Sequence, residues 1–173
     1  RDIGVTGVQT CALPICTIPV KRLILLRHAH SPSATPGVSD HDRPLSEQGM
    51  RDAARAGATL VAMGIKVDRL ICSTAHRTRT TAEILATRLP VSEMVCEKSL
   101  YNTGPEAYLE AVRMLGDSAE TLVVVGHNPT VSEFPAAVGA YLTPASAVIW
   151  HWEGENWALF TPEKACLAEI ITP

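Results

Sequence analysis

The chain has 173 residues, 46% of them hydrophobic and 19% charged, with a formal net charge of −3. That length allows one domain with a proper core, and the slight negative charge excludes a general attraction to nucleic acid or to anionic membranes. No apolar run approaches the roughly 18 residues that cross a bilayer, so any anion site must be local.

Five cysteines, Cys11, Cys16, Cys72, Cys96 and Cys166, form no CxxC pair and are odd in number. They read as reduced thiols, which suits a cytoplasmic protein. Cys11 and Cys16 have no second ligand pair at a suitable spacing, so neither a metal nor another cofactor is expected. The stretch from Arg1 to Cys16 has no helical or strand period and is no signal peptide, since Asp2 and Gln9 interrupt it. It reads as a translated adapter scar. Residues 1–18 are therefore set aside as a non-domain extension, and 19–173 are taken as one domain.

In chain order, Lys21 to Leu26 is a continuously apolar run, as in a strand covered on both faces. It ends abruptly in Arg27 and His28. A long turn-rich loop follows, from Ser31 to Pro44. Ser46 is placed to cap a helix running to about Met63, with Ala53, Ala56, Leu60 and Met63 at helical spacing and Gly64 as its stop. Val67 to Cys72 is a second strand. Ser73 or Thr74 is expected to cap a helix from about Ala75 to Leu89, ended by Pro90.

Met94 to Cys96 reads as a short strand, and Pro105 as the first residue of a helix reaching Leu115. Thr121 to Val125 repeats the plan of the first strand and ends in Gly126 and His127. Asn128 and Pro129 are expected to start a helix up to about Ala140. Two β-like runs close the chain, Ala147 to Trp152 and Trp157 to Phe160, with Gly154, Glu155 and Asn156 placed as a hairpin turn. Strands alternating with helices predict a three-layer α/β/α sandwich around a mostly parallel sheet.

In such sheets ligands bind outside the carboxyl ends of the strands. Three strand ends carry reactive groups: Arg27 with His28, Ser73 with Arg77 one turn into its helix, and Gly126 with His127. Two guanidinium forks and two imidazoles at one edge suit a phosphate dianion. A neutral imidazole can attack phosphorus through one nitrogen while a backbone carbonyl fixes the other. Gly126 would let the backbone approach the ligand, and the helix starting near Pro129 would aim its N-terminus at the anion.

These motifs, in this order, resemble the histidine phosphatase superfamily, the phosphoglycerate mutase-like group. Leu25-Leu26-Arg27-His28-Ala29 is similar to its Arg-His-Gly signature. Asp42-Arg43-Pro44-Leu45-Ser46 with Gly49 looks like the segment after it. Ser73-Thr74-Ala75-His76-Arg77-Thr78-Arg79-Thr80-Thr81-Ala82 is similar to the Ser-Pro-x-x-Arg-Ala-x-Gln-Thr-Ala segment, with Thr74 and Thr80 departing from it. Val125-Gly126-His127-Asn128-Pro129 matches the Gly-His motif. The subgroup it is most similar to is the small SixA-like phosphohistidine phosphatases.

The resemblance implies that His28 becomes phosphorylated while Arg27, Arg77 and His127 complete the phosphate pocket. It implies a weaker substrate contact at Arg43 and places Ser31 at the rim. Hydrolysis of phosphate esters in this family usually needs a carboxylic acid near Tyr101. Ser99 to Pro105 holds none, which leaves Glu106 as the possible acid or as an ordinary first-turn charge. An imidazole leaving group is far less basic than an alkoxide, so the gap leans toward a protein phosphohistidine. Two alternatives stay open: a sugar or nucleoside phosphate esterase, and a phosphate-binding module without turnover. The partner is thus a phosphorylated protein or a small phosphorylated molecule, with no nucleic acid and no membrane.

Overall fold

The computed structural model describes residues 20–33, 36–134 and 141–173. The expected 1–18 extension, with Cys11 and Cys16, lies outside the described residues. In chain order the regular elements are β1 (Val20–Arg27), α1 (Glu47–Ala62), β2 (Val67–Ser73), α2 (His76–Ala86), β3 (Val91–Glu97), α3 (Pro105–Leu115), β4 (Thr121–Gly126), α4 (Thr130–Glu133), β5 (Ala147–Glu153) and β6 (Cys166–Ile171).

The strands form one sheet in the order β3-β2-β4-β1-β5-β6. β1, β4, β2 and β3 run parallel; β5 is antiparallel beside β1, and β6 is antiparallel to β5 at the edge. The apolar runs of β1 and β4 divide by parity, as a pleated strand requires. Leu23, Leu25, Leu122 and Val124 face a core that includes Tyr108 and Val112 of α3 with Trp157 and Phe160. Ile24, Leu26, Val123 and Val125 face the opposite core, with Ala56 and Leu60 of α1 and Ala82 and Leu85 of α2. Full burial of each such leucine or isoleucine contributes on the order of 1.5–3 kcal/mol. Helices thus cover both faces of a mostly parallel sheet, the three-layer α/β architecture.

α1 starts where Ser46 accepts the Gly49 amide at 2.9 Å, and Gly64 ends it with φ +71°. Gly49 is required by packing, because a Cβ there would overlap the His30 carbonyl. The helix is thereby pressed against the chain just beyond β1.

Three expectations need correction. First, neither Ser73 nor Thr74 caps α2: the N-cap is Ala75, with no side-chain cap bond, because Ser73 instead faces His127. Second, the described part of the helix after Pro129 is one turn, Thr130–Glu133, whose N-cap residue is Pro129. So short a helix offers little aligned dipole to an anion. The expected continuation over 135–140 lies outside the described residues. Third, Trp157 to Phe160 is no strand. Trp157–Leu159 is a single 3-10 turn, begun by the Asn156 side chain accepting the Ala158 amide at 2.9 Å. Trp157 is fully buried, donates to the Ala119 carbonyl at 2.7 Å and stacks on Trp152 at 5.5 Å. Burial of that indole wins over extended pairing, and β5 takes β6 as its partner instead.

Candidate active site

The carboxyl ends of β1, β2 and β4 lie side by side, since β4 pairs with both β1 and β2. Arg27 is in register with Gly126, and the His28 amide donates to the Gly126 carbonyl at 2.9 Å. Sheet order therefore brings the two histidines together across about a hundred residues of chain. Their rings are 5.2 Å apart, edge to face. Thr81 of α2 accepts the Ala29 amide at 3.1 Å and donates to the Arg77 carbonyl at 2.7 Å. This couples the helix that carries Arg77 to the end of β1.

His28 is half-buried, and its Nδ1 lies 2.7 Å from the Ala29 carbonyl oxygen. A carbonyl only accepts, so this bond places the proton on Nδ1 and leaves the Nε2 lone pair free. Burial lowers the His28 pKa to about 4; the Ala29 bond opposes that, while Arg77, Arg27 and Arg43 add to it. His127 is lowered to about 3, by burial first and then by His28 and Arg77. Both rings are therefore neutral near pH 7, the form in which an imidazole can be a nucleophile.

His127 is held quite differently. Its Nε2 lies 2.9 Å from Ser73 Oγ, and its amide donates to the Tyr108 hydroxyl at 3.0 Å. That hydroxyl explains Gly126: a Cβ at this position would overlap the Tyr108 phenol. The expectation that Gly126 opens the backbone to a ligand is corrected accordingly, since the space is taken by Tyr108. Three buried nitrogens of these side chains have no partner among the described residues: Arg27 Nε, Arg77 Nε and His127 Nδ1. Buried polar atoms without partners are few in native folds, and an anion's oxygens would satisfy these.

The forks of the arginines are partly engaged. Arg27 Nη1 donates to the Leu142 carbonyl at 2.7 Å, and its guanidinium lies 5.3 Å from the Tyr141 ring. Arg77, only 6% exposed, donates to the Asp40 carbonyl at 2.6 Å and to its carboxylate at 3.1 Å. Arg43 donates to the same carboxylate at 2.9 Å, and the Tyr101 hydroxyl does so at 2.9 Å. Burial pushes the Asp40 carboxyl up, but the Tyr101 and Arg43 bonds and the nearby arginine charges outweigh it and hold the pKa at about 2. Asp40 is thus an ionised carboxylate lying on the very guanidinium expected to hold an anion. It is a site residue that sequence reasoning missed; an acid three residues before Arg43 was the available signal.

Beside these groups is a cavity of about 390 Å³ whose lining includes Asp40, Arg77, Tyr101, His127 and Glu133. His28 is not among the residues that line it, but its ring lies 5.2 Å from that of His127, which does. Glu133 of α4 was also missed, because its helix was expected to serve through its N-terminus. Ser31 donates to the Pro44 carbonyl at 2.7 Å and accepts from Arg43 at 3.3 Å, so it braces the loop that carries Arg43. Glu106 is exposed in the first turn of α3 and does not line the cavity. Among the described residues no cluster of three or more His, Cys, Asp or Glu side chains could hold a metal. No helix there is long and apolar enough to cross a membrane.

Comparisons with known proteins bear on the family and the fold. A sequence profile described as the histidine phosphatase superfamily (branch 1) matches residues 23–103. An uncharacterised protein of Mycobacterium tuberculosis is 42% identical over 158 residues, covering 83% of this chain and 98% of that one. Among solved structures, a candidate phosphohistidine phosphatase named SixA, from Nakamurella multipartitia, is 31% identical. It aligns over 89% of this chain and 96% of its own with a TM-score of 0.74. A protein histidine phosphatase SixA in complex with tungstate aligns over 87% of this chain and 96% of its own, with a TM-score of 0.69. At 18% identity it speaks to the fold alone.

Proposed function

Because this chain belongs to the histidine phosphatase superfamily, as a SixA-like member, it is a phosphatase, and we propose that it removes phosphoryl groups from phosphohistidine in proteins through a phosphohistidine intermediate at His28. The observation that carries the reading is the His28 tautomer. With Nδ1–H donated to Ala29, the neutral ring offers Nε2 as the attacking atom. Arg27, Arg77 and His127 each hold one buried nitrogen with no partner among the described residues, and these would take the oxygens of the transferring group.

In the first half-reaction the His28 Nε2 lone pair forms the bond to phosphorus as the substrate's P–N bond breaks. The released imidazole takes up a proton from solvent. Water then attacks the same phosphorus and frees His28 with inorganic phosphate. An imidazole leaves far more readily than an alkoxide, so the first step makes little demand on a general acid. That suits a site in which Asp40 is held ionised by Arg77, Arg43 and Tyr101. Similarity to the Nakamurella protein supports the same substrate class.

Glu133 favours a second reading. Its carboxyl is exposed in the cavity lining and in its acid form could protonate an alkoxide, which would make the enzyme a phosphomonoesterase for a sugar or nucleoside phosphate. A substrate panel separates the two. Phosphohistidine peptides and sugar phosphates are assayed with the wild-type chain, with His28→Ala and with Glu133→Gln. The first reading expects phosphohistidine turnover that needs His28 and tolerates Glu133→Gln. Sugar phosphate as the better substrate, lost with Glu133→Gln, would establish the second. Phosphohistidine turnover unimpaired in His28→Ala would overturn the mechanism altogether.

A further inference from the structure

The cysteines Cys72 and Cys96 play no part in the phosphatase chemistry, yet the fold sets them face to face. They are register partners on the parallel strands β2 and β3. Partners in a ladder lie about 4.8 Å apart between strands, inside the roughly 4.4–6.8 Å that a disulfide spans between Cα atoms. Paired residues also project from the same face of a sheet, and the two Sγ atoms are 3.5 Å apart. The two thiols differ in access. Cys96 is exposed on the edge strand, whereas Cys72 is fully buried in the core beneath α2. We propose that Cys72 and Cys96 form an oxidation site that closes reversibly into a disulfide between β2 and β3.

The roles follow from access. Cys96 meets the oxidant, and Cys72 resolves the product. With hydrogen peroxide, the Cys96 sulfur attacks one peroxide oxygen, the O–O bond breaks, and a sulfenic acid and water result. The Cys72 sulfur then attacks the Cys96 sulfur. The S–S bond forms, and the hydroxyl leaves as water with the Cys72 thiol proton. Two thiols lose two electrons and the peroxide gains them. Burial pushes the Cys72 thiol pKa up, so Cys72 is the less reactive of the two sulfurs toward the oxidant. A dithiol such as dithiothreitol reverses the reaction by thiol–disulfide exchange. The bond would tie the edge strand to β2 immediately before Ser73, the partner of His127, and would close a loop containing all of α2 with Arg77.

The test is peptide mapping after mild oxidation. A Cys11→Ser, Cys16→Ser, Cys166→Ser variant and the wild-type chain are treated in parallel with stoichiometric hydrogen peroxide. They are then alkylated under denaturing conditions and digested without reduction. The wild-type arm keeps the test valid if the triple variant folds poorly. The expected result is a peptide pair linking Cys72 to Cys96, lighter by two hydrogen atoms, in a chain that stays monomeric on a non-reducing gel. Dithiothreitol should restore both alkylatable thiols, and adding Cys96→Ser should remove the link. Oxidation of Cys96 to sulfinic acid with Cys72 still alkylatable, or links found only between chains, would overturn the proposal.

Discussion

β1 and β4 are near copies as sequence, each an apolar run ending in a histidine, but the two ends are built for different work. At the end of β1, the His28 ring is oriented by its immediate neighbour, through a bond to the Ala29 carbonyl. That contact is local and leaves the outer nitrogen free. At the end of β4, the His127 ring is oriented from 54 residues away, by the Ser73 hydroxyl on β2. The first arrangement frees a lone pair, while the second fixes a ring in place. For the nucleophile proposed at His28 a local bond is the sturdier device, because only neighbouring backbone must be in position. A side chain that steadies developing charge can depend on tertiary packing.

The largest effect expected from this difference is at His28. His28→Ala should lower single-turnover hydrolysis of p-nitrophenyl phosphate by at least about 10³-fold, as removal of a nucleophile does, and no acid-labile phosphoenzyme should be trapped. His127→Ala should cost about 10²–10³-fold, the usual loss for one preorganised donor, yet phosphoenzyme should still accumulate slowly. If both variants abolish the phosphoenzyme alike, the division of labour between the two ends is wrong.

The pH dependence of stability sharpens the same point. Both imidazoles have folded pKa values near 4 and 3, depressed from 6.5. The unfolded chain therefore binds more protons as pH falls below 6.5, so stability is complete above that value and is lost progressively toward 3 to 4. Between about pH 7 and about pH 5 the thermal midpoint should drop on the order of 5–10 °C. Paired His28→Gln and His127→Gln changes should flatten that slope. An equal slope in the double variant would place its origin elsewhere.

Smaller effects are expected from the neighbours. Ser73→Ala removes the long-range hold on His127 and should reduce kcat about tenfold with little change in KM, since it leaves a buried imidazole nitrogen without its partner. An equivalent change at Thr80, half-buried on α2 and facing neither histidine in any hydrogen bond among the described residues, should have a much smaller effect. Asp40→Asn should act in the opposite sense on product binding. Its carboxylate competes with an anion for Arg77, so inorganic phosphate should inhibit the variant roughly threefold to tenfold more tightly, a partly exposed charge effect. Weaker inhibition would show that Asp40 orients Arg77 for phosphate instead of competing with it.

The sequence by itself determined the central buried strands β1, β2 and β4 and where they stopped. Continuous apolar runs in β1 and β4, a serine cap on α1 and a proline at the head of α3 are local signals, and each acts through its own neighbours. Their order along the chain, with Arg27 and His28, then Arg77, then His127, was enough to expect these side chains at neighbouring strand ends, as the pairing of β4 with β1 and β2 requires. Only the tertiary structure decided what those side chains touch. Asp40 reaches Arg77 across 37 residues and Tyr101 across 61. Gly126 makes room for Tyr108, and Trp157 folds inward to meet Ala119 instead of pairing with β5. Hydrophobic period records which face of an element is covered. It carries no record of which distant polar group will arrive there, because that depends on sheet order and on crossovers whose geometry is set by the whole core.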